Sequence, residues 1–168
     1  MELRTATPND APAIAALHAR NWQIAYRGDF PAHYLDVECP VERLDVWTKR
    51  FANSDPNMLT TIAEKTGKMV GFCCTFQAQD EHGSYLDNLH VIPEMRGQGL
   101  GKILMRDAAK LVNTDEIYLF VITTNSSAIG FYEHLGGRLG KTKMINLAGT
   151  ELEVISIHWE SAKLAAIQ

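Results

Sequence analysis

The sequence predicts an α/β protein with a mixed, mostly antiparallel sheet of about six to seven strands and helices on both faces. Short β-rich runs fill the middle and the end of the chain, and amphipathic helical segments separate them. In addition, residues 117–122 are continuously apolar, which is typical of a strand buried on both faces beside a parallel neighbour. Because 46% of the 168 residues are hydrophobic, we expect one domain, residues 1–168, with a single core.

The first part of the chain predicts one short strand followed by two helices. Residues 2–6 alternate as a strand, and Thr7 with Pro8 indicates the start of a helix that Gly28 ends. A second amphipathic helix is predicted between Pro40 and Asn53, since its apolar residues recur at three- and four-residue steps. Its apolar face is predicted to carry Val41, Leu44, Trp47 and Phe51.

Three consecutive strands are predicted next, and a glycine-rich turn and a helix follow them. Pro93 stops the third strand, and glycines then occupy every second position up to Gly101. The periodicity of the next helix begins at Leu100. The three strands are predicted over residues 58–65, 69–79 and 85–91, and the apolar stripe of the helix is predicted to comprise Leu100, Ile103, Leu104, Ala108 and Leu111.

The last part of the chain predicts a buried strand, a helix and a hairpin. The strand covers residues 117–122. Asn125 is expected to cap the helix, and the glycine pair at Gly136 is expected to stop it. The hairpin is predicted from residues 144–147 and 152–159, with a short tail after it.

Composition argues against several classes of function. The formal net charge is −4 and no basic patch is present, so nucleic acid is not an expected partner. No apolar run approaches the ~20 residues of a membrane span, and we expect a cytoplasmic protein with no membrane partner. Cys39, Cys73 and Cys74 have no metal-ligand spacing, so they are predicted to be reduced packing thiols and no metal is expected. Cys73 and Cys74 are expected on opposite faces of a strand.

The turn from Arg96 to Gly101 predicts an anion site. Glycine allows positive φ and close approach, and the first turn of the following helix has unpaired N–H groups that favour phosphate. Such turns also serve dinucleotides and nucleoside triphosphates. A dinucleotide fold begins with its strand and loop, whereas this turn follows three strands. A triphosphate loop needs serine or threonine after the lysine, whereas Ile103 follows Lys102.

A second motif, one strand later, makes the pattern more specific. The strand ends as L-x-V-x-P at Pro93, the turn reads R-x-x-G-x-G from Arg96, and N-x-x-A-x-x-F-Y-x-x-L-G begins at Asn125. Together these motifs resemble the GNAT superfamily of acyl-CoA-dependent N-acetyltransferases. The resemblance covers almost the whole chain, including residues 22–34 and the terminal hairpin. It implies the GNAT fold.

The resemblance implies acetyl-CoA as acyl donor and cofactor, without a metal. Its pyrophosphate is expected on the main-chain amides of the glycine loop. The pantetheine arm is expected in a gap between the strands 85–91 and 117–122, paired with backbone like an added strand. Asn125 matches a residue that contacts the cofactor arm, and it is also a helix cap. The expected cofactor-binding residues are Leu89, Val91, Arg96, Gly97, Gln98, Gly99, Leu100, Gly101, Lys102, Asn125, Ala128 and Tyr132.

The resemblance also implies direct attack of a neutral amine on the thioester. Tyr132 matches the position whose hydroxyl reprotonates the departing thiolate, although it also lies on the apolar stripe of its helix. Some family members place a glutamate base at the start of the strand that here covers residues 85–91, where this chain has Tyr85. Asp87 shares the strand parity of Tyr85, and His90 has the other parity unless a bulge intervenes. Asp87 and His90 are both kept as base candidates, beside a water relay.

The acceptor side is expected between the first two helices and the terminal hairpin. Its candidate residues are Trp22, Tyr26, Arg27 and Tyr34. Aromatic side chains can surround a cationic amine, and an aromatic core is the alternative.

The predicted function is transfer of an acetyl group from acetyl-CoA to a primary amine of a small molecule or protein. The alternative is an acetyl-CoA-binding sensor or interaction module without turnover. The amine acceptor is left open. A homodimer is one option, because the final hairpin can expose an edge strand.

Overall fold

The computed structural model describes residues 1–167 and shows a seven-stranded sheet with strand order β1-β2-β3-β4-β5-β7-β6. The strands are β1 (Glu2–Thr5), β2 (Met58–Lys65), β3 (Lys68–Asp80), β4 (Gly83–Val91), β5 (Glu116–Ile122), β6 (Arg138–Leu147) and β7 (Thr150–Glu160). The α-helices of this part of the chain are α1 (Ala11–Ala25), α2 (Cys39–Asn53), α3 (Leu100–Leu111), α4 (Ser126–His134) and α5 (Ser161–Ala165).

Neighbouring strands pair antiparallel, except β4 and β5, which are parallel. The predicted class is therefore confirmed. The continuously apolar strand β5 has the parallel neighbour that its composition indicated, because a strand covered on both faces needs no polar side.

Helices cover both faces of the sheet, each over its own core. On one face, Leu104 and Met105 of α3 are fully buried together with Ile117 and Ile157 of the sheet. On the other face, the buried core contains residues of α1, α2 and the first strands: Ile14, Trp47, Ile62, Phe72 and Cys74. Each large apolar side chain buried in these cores contributes roughly 1.5–3 kcal/mol.

Cys73 and Cys74 lie in different cores, so the prediction of opposite faces is confirmed. Both thiols and that of Cys39 are buried and unpaired. Burial raises the pKa of the Cys74 thiol to about 12, so it stays protonated at neutral pH.

Helix α2 faces the core with Trp47 and Phe51, as predicted, but not with the other two residues of the predicted face. Val41 and Leu44, predicted to face the core, are 70% and 44% exposed. Arg43 and Arg50 lie inward instead, with side chains 11% and 26% exposed. The Arg43 guanidinium lies 5.0 Å from the ring centre of Trp22, and that of Arg50 lies 4.9 Å from Trp47. Stacking on tryptophan and pairing with carboxylates lets these guanidiniums replace aliphatic side chains.

The helix start predicted at Thr7 is confirmed, with a short 3₁₀ turn, Pro8–Asp10, between Thr7 and α1. The Asp10 carboxylate accepts from the Thr7 backbone N–H at 2.7 Å and forms an ion pair with Arg4 at 2.8 Å. A single turn of π-helix, Tyr34–Glu38, leads into α2 and was not predicted.

The end of the chain differs from its prediction. Strand β6 begins at Arg138, before the predicted residue 144, and α5 replaces part of the predicted tail. The first residues of β6 are exposed at the sheet edge and show no alternation of apolar side chains, so their pairing with β7 leaves no mark in their own sequence. Five residues are too few for a helical periodicity.

Candidate functional site

A cleft opens between the parallel strands β4 and β5. Within residues 1–167, β4 pairs with β5 at Ser84–Ile117 and Tyr85–Tyr118, at the start of both strands, and not beyond. The rest of β4 and β5 pairs on the outer sides, with β3 and β7. Main-chain groups of Leu89 and Val91 therefore line one wall of a gap that an extended ligand can enter as an added strand.

The glycine loop lies at the end of β4, after the 3₁₀ turn Pro93–Met95. Gly97 and Gly99 have φ of 73° and 79°, a conformation that costs glycine little. Gly99 is the N-cap residue of α3. The first N–H groups of α3 have no partner within the helix, and the positive end of its dipole lies there. The predicted anion site at this loop is consistent with its backbone.

Gly101 serves a different purpose from the other loop glycines. It lies in the first turn of α3, where an added Cβ would come 2.9 Å from Cζ of Phe131. Phe131 belongs to α4. The missing side chain of Gly101 therefore lets α4 pack against the start of α3, while its N–H group remains among the first amides of that helix.

The remaining loop residues anchor the loop to the protein. Gln98 Nε2 donates to the Glu94 carbonyl at 3.0 Å. Leu100 is 1% exposed in the core under α3, and Lys102 is partly buried in the first helical turn. The loop is therefore held from both ends.

A buried asparagine that sequence reasoning missed connects the loop to β4. Asn21 of α1 accepts from Arg96 Nη2 at 2.7 Å, and its Nδ2 donates to the Val91 carbonyl at 3.1 Å. The same Nδ2 lies 3.3 Å from Nδ1 of His90. The sequence carries no signal for Asn21, because its partners are about 70 residues away and a single polar residue does not disturb a helical pattern. Arg96 therefore has a structural partner in addition to its predicted cofactor role.

His90 faces the core beside α1, against Phe72 and His18. Burial, followed by the charges of Arg96 and Arg43, lowers the pKa of His90 to about 3. Burial and His90 also lower the pKa of His18, which accepts from Trp47 Nε1 at 3.2 Å. Both imidazoles are neutral at pH 7, and His90 has little basicity to offer a substrate ammonium.

A bulge in β4 brings Asp87 and His90 to the same face of the sheet. Cys74 pairs with Asn88 and Thr75 pairs with Leu86, so Asp87 is the extra residue. The opposite parity predicted without a bulge for Asp87 and His90 is therefore wrong, because an extra residue shifts the alternation by one position. The Asp87 carboxylate is paired with Arg50 of α2 at 2.6 Å and accepts from the side chain of Asn88.

Asn125 lies on the opposite side of the cleft, just after β5. Its Oδ1 accepts from the backbone N–H of Ala128 at 3.1 Å, which confirms the predicted helix cap. Its Nδ2 donates to the hydroxyl of Tyr26 at 3.3 Å. Tyr26, predicted on the acceptor side, thus contacts a predicted cofactor-binding residue.

Tyr132 of α4 is partly buried, with its ring edge on Trp159 at 5.7 Å. Burial raises the pKa of Tyr132 above its usual value, and Tyr26 and Tyr85 raise it further. The effect of these two phenols, one following α1 and one on β4, indicates that both lie near Tyr132. Tyr132 is therefore protonated at neutral pH, as a proton donor must be.

Two other residues predicted on the acceptor side, Trp22 and Tyr34, lie in an aromatic cluster near the end of α1. Trp22 stacks on Phe30 at 5.6 Å, and Phe30 contacts Tyr34 at 5.4 Å. Tyr34 is 6% exposed and donates to Glu42 at 2.8 Å. Arg27 lies on the surface, paired with Asp36 at 2.7 Å. Tyr34 and Phe30 are thus mainly core residues, and Trp22 is the partly buried member.

The family comparison agrees with this geometry. The sequence model of the acetyltransferase (GNAT) family matches residues 18–137, which include the second half of α1, the glycine loop and α4. The chain belongs to the GNAT family.

The chain is also similar to curated N-acetyltransferases, and it shares its fold with solved structures. It is 23% identical over 163 residues to the uncharacterized N-acetyltransferase YuaI of Bacillus subtilis, covering 94% of this chain and 91% of the relative. It is 27% identical over 150 residues to the probable N-acetyltransferase Rv2775 of Mycobacterium tuberculosis, with 82% of each chain covered. The crystal structure of the PaiA N-acetyltransferase of Thermoplasma acidophilum, in complex with coenzyme A, shares the fold with TM-score 0.72 at 19% identity, covering 94% of this chain and 98% of that one.

These findings confirm the GNAT resemblance, the fold class and an acetyltransferase enzyme. Among residues 1–167 no cluster of metal-ligating side chains occurs. No helix in the same range is long and apolar enough to span a membrane.

Proposed function

We propose that this GNAT enzyme transfers the acetyl group of acetyl-CoA to a primary amine of a small molecule or a protein. The observation that carries the proposal is the cleft: β4 and β5 separate beside the glycine loop, with Asn125 and Tyr132 on the opposite side. When bound, acetyl-CoA supplies an activated thioester carbonyl.

The residues around the cleft fit coenzyme A from one end to the other. A pyrophosphate needs several convergent N–H donors and little side-chain bulk, which Gly97, Gly99 and the first turn of α3 offer. The pantetheine arm needs a strand edge, which Leu89 and Val91 offer. Ala128, in the first turn of α4, leaves room beside Asn125.

Tyr132 is proposed as the general acid that protonates the departing thiolate. Its raised pKa keeps the phenol protonated at neutral pH, although by itself it makes Tyr132 a weaker acid. Burial disfavours a charged thiolate in the same way and raises the proton affinity of the sulfur, so the phenol can protonate the thiolate as its bond to the acetyl group breaks.

The acceptor ammonium must lose a proton before it attacks, and a water relay fits this step better than a direct side-chain base. The low pKa of His90 makes it a weak base, and its Nδ1 faces Asn21. Asp87 is held by Arg50 and Asn88. Of the two candidates, Asp87 has the better prospect of accepting a proton through water, since its side chain is 21% exposed.

Further parts of the proposal concern location and partners. A cytoplasmic location is consistent with the buried, unpaired thiols of Cys39, Cys73 and Cys74. The net charge of −4 supports the absence of a nucleic-acid partner. A homodimer can form along the β6 edge, where Leu139 and Met144 are 48% and 62% exposed.

Isothermal calorimetry followed by a thiol-release assay tests the proposed function. Acetyl-CoA and coenzyme A should bind, whereas ATP, used as a control, should not. Release of free coenzyme A should then depend on the amine supplied, across a panel of amino acids, polyamines, amino sugars and peptides. ATP binding without acetyl-CoA binding contradicts the proposal, and acetyl-CoA binding without amine-dependent thiol release would limit the protein to a binding role.

A further inference from the structure

The C-terminal half of α1 and the residue that caps it, Tyr26, contact both walls of the cleft through two side chains. Asn21 donates to the Val91 carbonyl at the end of β4 and accepts from Arg96 of the glycine loop. Tyr26 accepts from Asn125, which follows β5. The two positions lie about 7.5 Å apart along a helical path. The end of α1 therefore crosses the open side of the β4–β5 pair.

We infer that the end of α1 fixes the separation of the two cleft walls, and that Tyr26 is a positioning residue that orients Asn125 toward the cofactor. This inference rests on the proposed function. The sequence predicted Tyr26 on the acceptor side, whereas this inference assigns it a supporting role in the cofactor site.

The hydrogen bonds of Asn125 leave one donor for a ligand. Its Oδ1 accepts from the Ala128 N–H, which determines which way the amide group faces. One Nδ2 hydrogen goes to the Tyr26 hydroxyl. An amide nitrogen carries two hydrogens. The direction of the second Nδ2 hydrogen is therefore set by the hydrogen bonds to Ala128 and Tyr26. A cofactor carbonyl that meets this hydrogen finds a preorganised donor.

The ring of Tyr26 is held independently of its hydroxyl. It meets Trp22 edge-on at 5.5 Å and Phe30 at 6.2 Å. Burial is the main cause that raises the pKa of Tyr26, so the hydroxyl is protonated at neutral pH. Removing only the hydroxyl should leave the ring in place and release the amide of Asn125.

A double-mutant cycle measured as coenzyme A affinity tests the inference. Tyr26→Phe should weaken coenzyme A binding about three- to ten-fold, as expected for the loss of one orienting hydrogen bond. Asn125→Ala should weaken it at least as much. In the Asn125→Ala background, Tyr26→Phe should have no further effect, because the group that it orients is absent.

Tyr34→Phe is the matched control. It removes a phenolic hydroxyl from the same aromatic cluster, where that hydroxyl bonds to Glu42 and not to Asn125. Its coenzyme A affinity should stay within about two-fold of the wild type. Thermal unfolding without ligand, recorded for each variant, separates a loss of stability from a loss of orientation.

Unchanged affinity of Tyr26→Phe, or an equal loss in both backgrounds, overturns the role of Tyr26 while the wild type still binds coenzyme A. A wild type that fails to bind coenzyme A overturns the proposed function and this inference with it. Equal losses in Tyr26→Phe and Tyr34→Phe would show a general effect of the aromatic cluster and would also overturn the assignment.

Discussion

The two ends of the β4–β5 pair are built in opposite ways. At the closed end, the buried Ser84 hydroxyl contacts Thr114 at 2.7 Å and accepts from the Ala78 N–H at 3.2 Å. Thr114 in turn donates to the Glu116 carbonyl. At the open end, strand pairing stops and α1 bridges the walls through the side chains of Asn21 and Tyr26.

The difference shows how one pair of strands serves stability and binding together. Direct hydrogen bonds at the closed end satisfy the backbone within the protein, so this end is rigid without a ligand. At the open end, backbone groups of β4 and β5 are left for a ligand. Side chains at the end of α1 set the distance between the two strands there. Variants at the closed end should therefore affect mainly unfolding, and those at the open end mainly binding or turnover.

The largest expected effect is that of Gly83→Ala at the closed end. Gly83 has a φ of 105°, and a Cβ there would lie 2.3 Å from the Glu116 carbonyl oxygen. The clash with backbone and the strained φ should together lower the free energy of unfolding by about 4 kcal/mol. Urea denaturation of the purified protein measures it. A loss under about 1 kcal/mol would show that β4 and β5 can move apart at this end at little cost.

The next effect is the pH dependence of stability that comes from His90, a partly buried imidazole near the open end. The pKa of His90 is lowered from 6.5 to about 3, so the unfolded chain binds this proton more tightly than the folded protein. The contribution of His90 to the free energy of unfolding is fully present above pH about 6.5, and it is lost as the pH drops toward about 3. By pH 4, His90 should account for a loss of about 3 kcal/mol in the free energy of unfolding.

His90→Gln is the variant that isolates this effect. Its stability should decline less between pH 7 and 4 than that of the wild type, when both are measured by urea denaturation across this range. The carboxylates titrate in both proteins, so the difference between the two profiles reports on His90 together with His18, whose pKa His90 lowers. Identical pH profiles would contradict a His90 that stays neutral in the folded protein.

Tyr132→Phe tests whether the open end of the β4–β5 pair serves catalysis. Loss of the proposed acid should lower the turnover number about 100-fold, while acetyl-CoA affinity stays nearly constant because the ring remains. Tyr118→Phe is the control at the closed end, where the Tyr118 hydroxyl donates to Asp80 at 2.6 Å. It should lose stability and keep its turnover. Unchanged turnover in Tyr132→Phe would remove Tyr132 from the mechanism.

The smallest effect is expected for Gly99→Ala, the counterpart of Gly83→Ala at the open end. Both glycines have positive φ, but a Cβ at Gly99 meets nothing within 4 Å. Only the backbone strain remains, so the free energy of unfolding should fall by about 1 kcal/mol. Thermal or urea unfolding measures it beside Gly83→Ala. Equal losses at the two positions would show that strain, and not the contact with β5, dominates at Gly83.

Much of the fold was predictable because local chemistry encodes it. The alternating strands, the Asn125 cap and the positive φ of Gly97 and Gly99 follow from residue type and spacing. Features at the sheet edge were not predictable, since the start of β6 depends on β7 for its conformation. The inward direction of Arg43 and Arg50 on α2 was also missed, because it depends on partners from other elements, Trp22 for Arg43 and Asp87 for Arg50.

The motif residues of the glycine loop and of α4 indicated the family before any coordinates, because a pyrophosphate site needs a local turn with free amides and glycines. Asp87, His90 and Tyr26 required the tertiary structure. A bulge set the direction of Asp87, burial set the basicity of His90, and the contact with Asn125 gave Tyr26 its place beside the cleft. Each of these depends on residues distant in sequence, and a distant contact changes neither the composition nor the periodicity of the segment that makes it.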